Sequence, residues 1–304
     1  MGGGQWIREK KTDCGGEWRT VELFAVGEQE HKQTRRKKCR ESSQRQKNKN
    51  KMESLRRKLR KVLANFDQHG FFVTATYEPE FLPADLDECR RDAVNYRARI
   101  TRAACKRFGV GKEAVKIMLF AVQNGDHGKL HIHGFVQVDG LDQGQRRELR
   151  ELLEDLWRRR IPGTGEYESM GGINVDRLDM RQLLAQSQQS KYGTIGYIYG
   201  HKHRKCVESR SLALPELLPD ADSRWSRKQL RKGCRECAQD PYWWEQKYPG
   251  WAVEKILIFD PGELHEGSGD PGEWEQTEPQ AFLVMRRRGY RTQDGRVRAA
   301  KART

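Results

Sequence analysis

The segment Lys129-Leu130-His131-Ile132-His133-Gly134-Phe135-Val136 sets two imidazoles one residue apart inside an apolar run. Side chains alternate along a strand, so His131 and His133 share one face and Ile132 takes the other. Paired neutral imidazoles on a rigid strand make half of a divalent-metal site. By itself a His-x-His is a weak signal. Its neighbours in the chain give it weight.

Upstream, Gly70-Phe71-Phe72-Val73-Thr74-Ala75-Thr76-Tyr77 alternates and is rich in aromatic and β-branched residues, which reads as a strand. Downstream, Lys191-Tyr192-Gly193-Thr194-Ile195-Gly196-Tyr197-Ile198-Tyr199-Gly200-His201-Lys202 places Tyr199 and Lys202 three apart, one turn of a helix. A strand with Thr-x-Thr, a strand with His-hydrophobe-His and then Tyr-x-x-Lys resembles the HUH endonucleases. More narrowly, the order is similar to that of the rolling-circle replication initiators (Rep proteins) of single-stranded-DNA viruses, phages and plasmids. The resemblance covers residues 62–215.

That resemblance implies metal-dependent, site-specific nicking and joining of single-stranded DNA through a 5′-phosphotyrosyl intermediate, the step that opens rolling-circle replication. Plasmid relaxases and HUH transposases use the same chemistry. It implies Tyr199 as nucleophile and Lys202 as the cation that assists it. Tyr192, seven residues earlier and close to the same helical face, is placed as a second nucleophile or phosphate contact. The family's two-tyrosine spacing of four is absent, so a single nucleophile is expected. Tyr197 is expected in the core. In similar initiators an acidic or amide residue ending the partner strand completes the metal site with the two histidines; here that residue is Gln123. Two histidines with an oxygen ligand and open positions suit Mn²⁺ or Mg²⁺. The implied partners are a single-stranded replication origin and a host polymerase and helicase.

His203, Cys206, Cys234 and Cys237 offer a three-Cys, one-His set for structural Zn²⁺. The aromatics Tyr242, Trp243, Trp244, Tyr248 and Trp251 read as packing of a small C-terminal extension, with base stacking as the other use of such rings.

Charge points to the same class of partner. The chain carries a net charge of +15, and between Lys32 and Lys61 fifteen Lys and Arg stand against Glu41 and Glu53. Such a block finds phosphates without further design. Arg35, Arg36, Lys37 and Lys38 within it, and Lys191 beside the tyrosines, are the expected DNA contacts. A second function class follows from charge alone, a non-catalytic basic nucleic-acid-binding protein. No apolar run reaches the ~20 residues that span a bilayer. Seven irregularly spaced cysteines and no apolar signal core lead to the expectation of reduced thiols in a cytoplasm. No Gly-x-x-x-x-Gly-Lys-Ser/Thr is present, so an ATP-driven helicase is not expected on this chain.

The elements that must position these residues are legible from periodicity. Asp85 caps a helix with apolar positions Leu86, Cys89, Ala93, Tyr96 and Ile100, and Gly109 stops it. Ala114–Val122 reads as a buried strand, joined to the histidine strand through the turn Asn124–Gly128. A helix over Asp142–Arg160 follows, then a strand over Gly172–Leu178, the tyrosine helix, and a fifth strand over Cys206–Leu214. The expected fold is α+β, an antiparallel sheet of four or five strands with helices on one side. The expected domains are a basic N-terminal extension (1–61) with a hairpin near Trp18–Val26, the endonuclease domain (62–215), an aromatic and Cys-containing extension (216–260) and a mostly disordered tail (261–304).

Overall fold

A computed structural model describes residues 6–26, 44–124, 128–161, 163–185, 193–201, 203–219, 225–259 and 279–289. The strands in chain order are β1 (Trp6–Cys14), β2 (Trp18–Val26), β3 (Phe71–Ala75), β4 (Val115–Gln123), β5 (Leu130–Val138), β6 (Arg158–Arg160), β7 (Tyr167–Ser169), β8 (Ile173–Arg177), β9 (His203–Glu208), β10 (Glu216–Leu217), β11 (Trp251–Phe259) and β12 (Gln280–Arg287). The helices are α1 (Gln44–Asn65), α2 (Leu86–Phe108), α3 (Gln143–Asp155), α4 (Met180–Leu184), α5 (Gly193–Gly200), α6 (Arg227–Arg235) and α7 (Pro241–Glu245). They form two compact units, one from residues 57–213 and one from residues up to 56 together with those from 214 onward. Among the described residues no helix is long and apolar enough to cross a membrane.

The 57–213 unit is built on a sheet of order β8-β3-β5-β4-β9, antiparallel throughout. Its alternation is strict. Phe71, Val73, Ala75, Ile117, Leu119, Ala121, Ile132 and Val136 share one face and one apolar core with Cys89, Ala93, Tyr96 and Ile100 of α2 and Leu149 and Leu153 of α3. Asp85 accepts a hydrogen bond from the Glu88 N–H and so starts α2, which ends at Gly109 as expected. Asp142 and Gln145 cap α3 reciprocally. Trp157 ties the layers together, edge-on to Tyr77 and Tyr96, with its indole N–H donating to the Thr76 carbonyl at 2.9 Å.

The opposite face of this sheet is covered as well. Phe66, just beyond α1, packs on Phe135 with ring centroids 5.6 Å apart, and α5 lies beside the histidines. Helices therefore stand on both faces, where the sequence suggested one. Lys58 and Lys61 of α1 both pair with Glu208 at the end of β9. The basic block is thus partly structural: from Gln44 it is helix, and Leu55, Leu59, Val62 and Leu63 are buried. Arg158–Arg160, expected to close the second helix, instead pair with Tyr167–Ser169 as a two-stranded ribbon.

The other unit has its own five-stranded antiparallel sheet, of order β10-β1-β2-β12-β11. Ile7, Val21, Leu23, Leu283 and Met285 of that sheet pack against Leu230, Cys234 and Trp244 from α6 and α7, with Trp225, Tyr248 and Trp251. The aromatics are core here, apart from Tyr242, which is exposed. Residues 6–26, expected in an extension, supply two of the five strands, and Gln280–Arg287, expected in a disordered tail, supply a third. Long-range strand pairing, which no local pattern reveals, brings the first and last described strands into one sheet.

Candidate metal centre

His131 and His133 project from β5 onto the face away from α2 and α3, since Leu130, Ile132 and Val136 occupy the helix-covered core. Gly134 follows them for a steric reason. A Cβ there would lie 2.4 Å from Leu119 Cδ2 and 2.7 Å from the Met118 carbonyl oxygen, so β4 could not keep this register against β5. A third histidine joins the pair. His201, just past the end of α5, brings its ring centroid to 5.2 Å from His131 and 5.8 Å from His133, and His131 and His133 stand 4.7 Å apart. One nitrogen from each ring lies within 4.8 Å of the others, the only such convergence of His, Cys, Asp or Glu among the described residues.

The hydrogen bonds decide which nitrogens are available. His131 Nδ1 is 3.1 Å from the Lys129 carbonyl oxygen, and His201 Nδ1 is 3.1 and 3.2 Å from those of Tyr197 and Ile198. A carbonyl only accepts, so Nδ1 carries a proton in both rings, which in a neutral ring leaves Nε2 its lone pair. His133 Nδ1 lies 3.1 Å from Thr74 Oγ1, across the β3–β5 pairing. The Nε2 atoms of His133 and His201 are buried and have no hydrogen-bond partner. Unpaired buried nitrogens are costly, by about 1–3 kcal/mol each, unless a ligand takes them up. With each Nδ1 partnered, the buried Nε2 atoms of His133 and His201 are left for a ligand, as in metal-ligating histidines with outer partners in place. The donor set fits a divalent ion.

Burial favours the neutral form of the two strand rings. The His133 pKa is pushed down to about 3 by desolvation first and then by the neighbouring His131 and His201. That of His131 is lowered by burial and by His201, against the hydrogen bond to Lys129. Phe72 stacks on His133 at 5.7 Å and shields one of its faces.

The expected site residues divide. Gln123 pairs with Leu130, and by strand alternation it takes the helix-covered face, opposite the histidines; Val122 is the residue across from His131. His201 stands where Gln123 was expected. A histidine four residues after Tyr197, at the end of the tyrosine helix, was the available signal for it. Tyr197, expected in the core, is only half-buried, with ring contacts to His133 at 5.5 Å and His201 at 5.0 Å. Tyr199 lies on α5, but its side chain is outside the described residues, as are Lys191, Tyr192, Lys202, Arg35, Arg36, Lys37 and Lys38.

The set proposed for zinc does not gather. His203 and Cys206 are three apart on β9, so alternation sends them to opposite faces of the sheet. Cys206 lies among Lys58 and Glu208 instead, and burial pushes its thiol up to about 12. Cys234 is packed in the apolar core of the other unit. Cys237 belongs to that unit too, where its carbonyl accepts from the Trp244 indole at 2.9 Å.

No protein-family model matches this chain, and neither a curated protein nor a solved structure does. The site has to be read from its own chemistry.

Proposed function

We propose that this protein is a metal-dependent single-strand DNA endonuclease and strand-transferase of the HUH type, which opens rolling-circle replication by nicking an origin. One observation supports it above the others: three converging imidazoles, two on a strand and one just past the end of a helix that carries two tyrosines. His131, His133 and His201 would hold the ion. When bound it supplies positive charge that draws electron density from a phosphate oxygen. Three nitrogen donors suit Mn²⁺ or Zn²⁺ better than Mg²⁺, which takes oxygen ligands and sheds water reluctantly.

The remaining work falls to the chain. A tyrosine oxygen of α5 attacks phosphorus in line. The P–O3′ bond breaks, the 3′ oxygen leaves as a hydroxyl carrying the phenol's proton, and the 5′ phosphate stays on the tyrosine. The free 3′-OH is then available to a host polymerase, and reversal of the step rejoins ends without ATP. The Tyr-x-x-Lys spacing favours Tyr199 with Lys202 as its cation, and Tyr192 as an accessory contact. The ring contacts to His133 and His201 favour Tyr197. Both alternatives stay within one helix, and rigid positioning with charge stabilisation is most of what such a displacement needs. A plasmid relaxase or transposase would use the same residues.

Incubating the full chain and Mn²⁺ with single-stranded oligonucleotides, then mapping any trapped protein–DNA adduct by mass spectrometry, tests the reading and names the tyrosine. Tight, salt-sensitive DNA binding without nicking under any divalent metal would instead favour the basic nucleic-acid-binding protein.

A further inference from the structure

Helix α5 is a poor helix by its own sequence. Gly193, Gly196 and Gly200 are three of its eight residues, and Thr194, Ile195 and Ile198 are β-branched. An interior glycine costs about 1 kcal/mol against alanine, and β-branched residues cost less but in the same direction. Eight residues also fall short of the ~12–15 at which even good helix formers become marginal alone. The surroundings have to hold it.

They do so from each end. Gly193 sits at φ +63°, and a Cβ on it would lie 1.9 Å from the Leu183 carbonyl oxygen, so α5 starts hard against the end of α4. Ile195 and Ile198 are buried along its length. At the other end His201 Nδ1 donates to the carbonyls of Tyr197 and Ile198, two of the acceptors that a helix C-terminus leaves unpaired. The same ring keeps a buried, unpartnered Nε2 and stands 5.2 and 5.8 Å, centroid to centroid, from His131 and His133. One imidazole therefore joins the last turn of α5 to the strand face.

We propose that a divalent ion on His131, His133 and His201 is also the clamp that holds α5, and the tyrosines it carries, against the sheet. The inference rests on reading the three histidines as a metal centre. Without an ion the buried Nε2 atoms of His133 and His201 gain a partner only by meeting water, and α5, with little helical tendency of its own, is the element that yields. With an ion that penalty is removed and the last turn is fixed to β5. The tyrosines are presented only when the metal is in place, which would keep the nucleophile from forming adducts that the site cannot reverse.

Hydrogen exchange on the full-length protein tests this without any activity measurement. The protein is stripped with chelator and reloaded with Zn²⁺ or Mn²⁺, with occupancy checked by chelator competition. Amides of residues 194–201 should exchange at least tenfold more slowly with the ion bound, while peptides from α2 and β4 stay unchanged. His201→Gln should abolish the metal-dependent slowing. His131→Ala, which leaves α5 and its hydrogen bonds untouched, should abolish it too. Equal exchange with and without bound ion overturns the clamp, as does slowing that persists in His131→Ala, or a protein that takes up no ion. Slowing without nicking would leave the clamp standing and remove the proposed activity; metal-dependent nicking with unchanged exchange would do the reverse.

Discussion

The chemistry of the centre turns on single nitrogens. Lys129, Thr74 and the last turn of α5 each occupy an Nδ1, which leaves Nε2 as the nitrogen for a ligand. Thr74→Val keeps the side-chain shape but removes the hydroxyl beside His133, so divalent-metal affinity should fall about 10–100-fold with thermal stability little changed. Chelator competition would measure it, and unchanged affinity would mean that Thr74 does not orient the ring. His133→Ala should remove both metal binding and cleavage. For the nucleophile, Tyr197→Phe and Tyr199→Phe each delete one oxygen and keep the ring. Adduct should vanish in one variant and persist in the other; adduct in the double variant would place the nucleophile outside α5.

At the scale of elements, the histidine strand depends on close approach. Gly134→Ala would drive a methyl into Leu119 and the Met118 carbonyl between β5 and β4. The expected cost is about 1–3 kcal/mol, with weakened metal binding because His133 is the adjacent residue. A thermal melt read beside metal titration would show both or neither.

Strand β9 is held at its end by charge. Burial alone would raise the Glu208 pKa, but hydrogen bonds and charge from Lys58 and Lys61 overcome it and bring the carboxyl down to about 2 from 4.5. A carboxylate depressed in the folded state contributes stability that is fully present above the unfolded value, near 4.5, and is lost as pH falls toward 2. Wild type should therefore lose melting temperature through that window, and Glu208→Gln should start lower and flatten the slope there. Parallel curves for the two proteins would show that the lysine pairs add nothing to stability.

For the whole molecule, the basic block is structural along part of its length. From Gln44 it is a helix with buried leucines, while residues 32–43 lie outside the described residues. Deleting residues 1–60 would remove β1, β2 and most of α1, so it cannot separate DNA affinity from folding. Replacing Lys32, Arg35, Arg36, Lys37, Lys38 and Arg40 with glutamine tests the block while leaving every described strand and helix residue unchanged. Single-strand affinity should drop and its salt slope should fall by up to about 4, at about 0.7 per lost phosphate contact, with nicking retained at saturating DNA. Anisotropy titrations at several salt concentrations would read the slope; an unchanged slope would assign DNA binding elsewhere.

What the sequence determined by itself was everything that short-range periodicity can encode. The shared face of His131 and His133, the β4–β5 hairpin, the Asp85 cap and the apolar stripe of α2 all follow from spacings of two, three or four residues. The helical stripe Leu55, Leu59, Val62 was just as local, but the surrounding cations hid it. The tertiary structure decided what depends on register and on distant pairing. Gln123 turns away because it pairs with Leu130, and one step of register is one change of face. His201 becomes the third member of the centre because a short glycine-rich helix packs its end against a strand far earlier in the chain. The first and last described strands share one sheet, a contact paid for in loop entropy rather than announced by any motif. Side-chain alternation is written in the sequence; which faces come to meet is settled only when the chain is packed.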